Sequence, residues 1–87
     1  MDKELVETFL TVATVRNISK ASKLLYVSQA TVSYRLKALE RQVGAELVLR
    51  SKGIRRADLT DNGRRLLPLA KNWLEANQAF EKFEPQS

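Results

Sequence analysis

ISKASKLLYVSQATVSYRLKALE, residues 18–40, decides how this chain folds. It reads as two short helices joined by a tight turn. Ser19 is placed to cap the first of them, its hydroxyl accepting a free backbone N–H. That helix runs from about Lys20 to Leu25, with Ala21, Leu24 and Leu25 facing inward. Ala21 and Ser22 are small enough to let a neighbouring helix approach closely. Tyr26-Val27 makes the turn, and Ser28 is a second cap. The following helix extends to about Val43 and stops at Gly44, a residue that tolerates positive φ. Val32, Leu36, Leu39 and Val43 recur at intervals of four, three and four, one stripe facing a core. The opposite side carries Gln29, Ala30, Ser33, Tyr34, Lys37 and Arg41, a polar and basic face.

Upstream, Leu5, Val6, Phe9, Leu10, Val12 and Ala13 fall at helical spacing between Lys3 and about Val15, and Asn17 marks the break. Downstream, Leu47–Arg50 and Ala57–Leu59 are short extended segments flanking Ser51-Lys52-Gly53-Ile54-Arg55-Arg56. A glycine among polar and basic residues between two apolar runs predicts a hairpin. A hairpin after a helix-turn-helix is a wing. Thr60 then caps a last helix from about Asp61 to Phe83. At a rise of about 1.5 Å per residue its length is about 34 Å. Leu66, Leu69, Trp73, Ala76, Phe80 and Phe83 are spaced alternately three and four, a heptad pattern with large aromatics in it. A small domain can cover only part of such a helix, so the remainder is expected to pack against a second copy. Pro68 removes one hydrogen bond inside it and predicts a mild kink; the alternative is two separate helices. The fold class is thus mainly α: a winged helix-turn-helix over 1–59 and a dimerisation helix with its tail over 60–87.

Composition narrows the function. Eighty-seven residues, 44% hydrophobic and 29% charged, make one ordinary globular domain with a modest core. There is no cysteine and no histidine, which removes disulfides, thiolate nucleophiles, the usual zinc sites and the commonest general base. No enzyme activity, cofactor or metal is expected. The opening MDKELVETF lacks the apolar run of a signal peptide, and no segment is apolar enough to span a membrane. No membrane partner and a cytoplasmic location are therefore expected. The net charge of +5 is unevenly placed. Residues 28–57 carry seven basic side chains against two acidic, whereas the flanks are close to neutral. A localised basic middle suits a polyanion-binding surface. A solvated face without a partner is the other reading of charge alone.

The ordered set Phe9, Ala13, Ser19-Lys20-Ala21-Ser22, Leu25, Ser28-Gln29, Val32-Ser33, Leu39-Glu40, Gly44, Leu47, Arg50, Leu59-Thr60, Gly63 and Leu67-Pro68 resembles the N-terminal domain of the LysR-type transcriptional regulators, a large bacterial family. The similarity runs from about Glu7 to Ala70. It implies a winged helix-turn-helix, a long linker helix that dimerises, a target with inverted-repeat symmetry and a C-terminal effector-binding domain. That last domain is not in this sequence, so a small-molecule effector and any higher oligomer would belong to a longer protein. Three departures stand out. Ala30 replaces the usual proline after serine-glutamine, and Val48 replaces a common phenylalanine, leaving a smaller wing anchor. Tyr34 stands where arginine is frequent and cannot make arginine's bidentate contact to guanine.

In the double-stranded DNA reading, Gln29, Ala30, Ser33 and Tyr34 face base edges in the major groove, with Gln29 presenting its amide to adenine. Ser19, Ser28 and Thr31 sit at helix N-termini that suit phosphates. Lys37, Arg50, Lys52, Arg55 and Arg56 neutralise phosphates and set register, and Arg55 or Arg56 enters the minor groove if the wing is long enough. Arg35 and Arg41 read as ordinary solvated helix residues. Two alternatives remain open: a winged-helix protein-interaction module that binds no DNA, and an architectural binder blind to sequence. The first would want apolar residues where Gln29, Ser33 and Lys37 stand.

Overall fold

The computed structural model describes residues 2–50 and 56–86, with Arg50 described by its backbone alone. Four helices and two strands follow one another as α1 (Lys3–Val15), α2 (Ile18–Leu25), α3 (Gln29–Val43), β1 (Val48–Arg50), β2 (Ala57–Leu59) and α4 (Asp61–Glu81). The architecture is the expected winged helix-turn-helix followed by a long helix.

Each helix is bounded by its local chemistry. α1 buries Leu5, Val6, Phe9, Val12 and Ala13, and ends where Arg16 turns left-handed at φ 53°. Thr8 is buried in the same face, its hydroxyl satisfied by donating to the Glu4 carbonyl at 2.7 Å. α2 begins two residues earlier than expected, because Asn17 and not Ser19 is its cap. The Asn17 side-chain oxygen accepts the Lys20 N–H at 2.9 Å. Ser19 falls inside the first turn, its carbonyl accepting the Ser22 hydroxyl at 2.7 Å. The early start rotates the inward face to Ile18, Ala21, Ser22 and Leu25, a set at helical spacing. Leu24, expected inside, is consequently 59% exposed.

Tyr26 closes α2 in the left-handed region at φ 58°, and Ser28 caps α3 by accepting the Thr31 N–H at 3.0 Å. Gly44 ends α3 at φ 77°. Val32, Leu36 and Leu39 are fully buried, and Val43 at the helix end is half-buried. They meet Phe9, Val6 and Val12 of α1, Ala21 of α2, and Leu47, Val48, Ala57 and Leu59 of the hairpin in one core.

β1 and β2 pair antiparallel with Val48 opposite Leu59, Leu49 opposite Asp58 and Arg50 opposite Ala57. A bridge from Arg56 to Asn17 adds a third, single-residue strand at the α1–α2 corner, where the Ala57 N–H donates to the Arg16 carbonyl at 3.0 Å. One residue separates the hairpin from α4. Thr60 accepts the Gly63 N–H at 2.9 Å as cap, its hydroxyl donates to the Glu46 carbonyl, and its own N–H donates to Leu47 at 3.0 Å.

α4 is one helix with Pro68 inside it, which disposes of the two-helix alternative. It ends at Glu81, two residues short of the expected Phe83. Glu84 precedes Pro85 and is thereby steered away from helical geometry, and the last turn finds no core to cover it. α4 lies against α1 in the opposite direction, with Lys3 and Glu81 paired at 3.2 Å. No helix among the described residues is long and apolar enough to cross a membrane.

Candidate nucleic-acid interface

Burial of Val32, Leu36 and Leu39 fixes the rotation of α3 and so decides which residues face out. Gln29, Ala30, Tyr34, Lys37 and Arg41 are exposed along the outer side, with Ser33 and Thr31 half-covered between them. Gln29, Ser33 and Lys37 follow one another at one-turn spacing, and Tyr34 is 67% exposed beside them. No ion pair engages Lys37 or Arg41 among the described residues, so this face carries its positive charge outward.

At the leading end of α3 the Ser28 hydroxyl serves two bonds, accepting from the Thr31 N–H and donating to Thr31 Oγ1 at 2.9 Å. The first-turn amides ahead of Thr31 have no intrahelical acceptor and point off the exposed end of the helix. Together with the helix dipole they make an anion-accepting tip. Ser19 is half-buried in the first turn of α2 rather than at its cap. Arg35 departs further from expectation. Its side chain is only 20% exposed, and its guanidinium reaches Glu4 and the Thr8 hydroxyl, each at 3.5 Å. It ties α3 to α1 and is not a solvated residue, because the α1 N-terminus passes beside it.

On the hairpin, Arg56 is exposed and lies 3.0 Å from Asp58, whose carboxylate is also 3.8 Å from Arg16. The candidate residues Lys52 and Arg55, and the side chain of Arg50, lie outside the described residues. Sequence reading missed Arg16, which meets the hairpin at the Asp58 carboxylate and the Ala57 N–H, contacts no spacing announces. It also passed over Glu40 as a residue with a job. Its carboxylate accepts the N–H groups of both Leu47 and Val48. A lone acid among the cations Lys37 and Arg41 was the available signal.

The α4 stripe divides. Leu66 and Trp73 lean on the chain's own core, where Ala70, outside the heptad stripe, is the most buried side chain of the helix. Leu69 is 63% exposed, Phe80 83% and Phe83 73%, and Ala76 is also exposed. Val6, Leu39, Leu66, Leu69, Ala70 and Trp73 line an apolar hollow of about 240 Å³ at the helix's foot.

Residues 4–64 match the family described as "Bacterial regulatory helix-turn-helix protein, lysR family". The chain belongs to that lysR family. Among curated relatives, the HTH-type transcriptional regulator HdfR of Yersinia enterocolitica is 42% identical over 82 residues, 94% of this chain. The match takes in 27% of HdfR, so the chain spans about a quarter of that relative's length. Among solved structures, the CbnR_DBD–DNA complex superposes with a TM-score of 0.84 at 32% identity, covering 94% of this chain and 93% of that one. Vibrio fischeri DarR in complex with DNA gives 0.82 at 36% identity, covering 91% of this chain and 26% of that one. The lysR relatives named here are thus regulators, two of them solved on DNA.

Proposed function

We propose that the chain is a sequence-specific double-stranded DNA-binding module of a bacterial LysR-type regulator, acting as a homodimer on an inverted repeat. One observation carries the reading. A helix locked into the core by Val32, Leu36 and Leu39 offers an outward face of Gln29, Ala30, Ser33, Tyr34 and Lys37, led by its exposed N-terminal turn. The DNA complexes of CbnR and DarR, similar in fold and sequence, support DNA as the partner, and an exposed helix of this width suits the major groove. Gln29, Ala30, Ser33 and Tyr34 then meet base edges. Ser28, Thr31, Lys37, Ser19 and the wing cations Arg50, Lys52, Arg55 and Arg56 meet the backbone, giving affinity and register without reading sequence. Arg56 contributes less than its charge suggests, since Asp58 already faces it.

In this reading, residues 1–59 bind DNA and 60–87 dimerise, while effector binding and higher assembly belong to a further domain of a longer regulator in the cytoplasm. The exposed Leu69, Ala76, Phe80 and Phe83, with the outer edges of Leu66 and Trp73, form the dimer contact. Phe80 is the clean probe, because Trp73 also supports the monomer's core. Phe80→Ala is expected to shift the chain toward monomer in sedimentation equilibrium with its melting temperature at low concentration unchanged. A dimer of undiminished strength would remove α4 from the interface.

Selection of duplexes from a random pool by the purified chain tests the whole reading. A two-fold symmetric motif is expected. Unenriched DNA that washes off as salt rises would mean a binder blind to sequence, and no recovery a protein-interaction module. Lys37→Ala should weaken binding to every duplex alike and flatten the salt dependence by about one unit. A loss confined to one sequence would make Lys37 a base reader instead.

A further inference from the structure

The four-residue bend between α3 and β1 is held from the α3 side by one residue, through its side chain and its own backbone. The Glu40 carbonyl accepts the N–H of Gly44 at 2.8 Å and of Ala45 at 3.2 Å, closing the end of the helix. The Glu40 carboxylate reaches past the bend, one oxygen accepting the N–H of Leu47 at 2.8 Å and of Val48 at 3.3 Å. Leu47 and Val48 are buried, so these amides have no water to turn to. β1 and β2 are only three residues long, and a hairpin that short takes its direction from what it is attached to. Its other strand is held by Arg16 and its base by Thr60, neither of them on the recognition helix. Glu40 sits one turn after Lys37 and beside Arg41, on the helix that carries the reading face.

We propose that Glu40 is a positioning residue that indexes the wing to the recognition helix, so that wing cations meet the backbone when α3 is in its groove. The proposal rests on the DNA-binding reading above. Bonds from one side-chain oxygen to two successive amides fix both the distance and the direction of β1, which a single bond would not. Losing them frees the hairpin to tilt about its Thr60 end while α3, held by its own core stripe, stays in place. Base choice should then survive and backbone grip should not.

The test is fluorescence anisotropy of the full chain on a short mixed-sequence duplex over a series of KCl concentrations, with E40A, E40D and E40Q beside the parent. Glutamine keeps an acceptor oxygen at the same reach, so E40Q should retain the parent's salt slope. Aspartate is one methylene shorter and alanine has no acceptor, so both should flatten the slope by about one to two units, the loss of one or two phosphate contacts. Their preference for a selected duplex over a scrambled one should stay within a few-fold of the parent's. A merely structural role would lower the melting temperature and leave the slope of the folded protein alone. E40D alone decides the matter if E40A does not fold. An unchanged slope in E40D, or a slope in E40Q as flat as in E40D, overturns the proposal. A parent chain that binds no duplex at all overturns the DNA reading, and this inference with it.

Discussion

Gln29→Ala should weaken binding to a symmetric operator by about 2–6 kcal/mol while leaving binding to arbitrary duplex nearly untouched. A matched amide–adenine pair is worth about 1–3 kcal/mol of discrimination, and a dimer presents the residue once in each half-site. Gln29 is exposed in the first turn of α3, so its loss opens no cavity and leaves the Ser28–Thr31 cap intact. The change is therefore confined to what the side chain touches outside the protein. Titration of a selected operator and of a variant altered at one base pair measures it. The alanine protein should bind the two with similar strength where the parent separates them. Equal weakening on all DNA would show Gln29 to be a backbone contact, and no weakening would remove it from the interface.

Gly63→Ala should cost stability even though alanine is the better helix former. Gly63 is buried in the first turn of α4, and a Cβ there would run into the Leu47 carbonyl oxygen. That carbonyl accepts the Thr60 N–H and belongs to the backbone entering β1, so it has no flexible end to swing aside. The gain in helix propensity is about 1 kcal/mol. Overpacking against unyielding neighbours costs about 3 kcal/mol or more. The net loss of about 2 kcal/mol lowers the melting temperature by about 8–16 °C in a domain of this size. A thermal melt checks it by sign alone. A rise would mean that propensity governs the site and that α4 does not press on β1 as described.

Ser28, Gly44 and Thr60 were legible in the sequence because each acts on amides within a few residues of itself. The α2 cap was not, since Asn17 and Ser19 are both competent for it. What selects Asn17 is its extended backbone, held by the bridge to Arg56 thirty-nine positions away. The misplacement of Leu24 follows from that one error, because moving a helix start by two residues turns its inward face. Arg35 reads as solvated from its own helix alone; the Glu4 and Thr8 that cover it come from α1. In α4 the alternation of three and four counts apolar positions without saying whose core they meet. Ala70, too small to weigh in such a pattern, is the side chain nearest the chain's own interior. The outer face of α3 needed only the helical period, which is why its candidate residues lie together. Their roles toward DNA depend on groups outside the chain and are read from chemistry alone.

A single residue stands between β2 and α4, and all four of the polar bonds at Thr60 close back onto the hairpin's foot or the helix it starts. Ala70, Trp73 and Leu74 pack α4 against the core, and Lys3 lies beside Glu81 where the far end of α4 runs alongside α1. There is consequently no hinge between the reading head and its handle. Any signal that reaches α4 must steer the head as a whole, by re-aiming it, and not by reshaping its surface. A helix of 21 residues is about 31 Å long, so a tilt of about 10° at one end carries the other through about 5 Å. That exceeds the rise of one base pair, so in the proposed dimer the angle between two such handles would suffice to set which spacing of half-sites the pair can span.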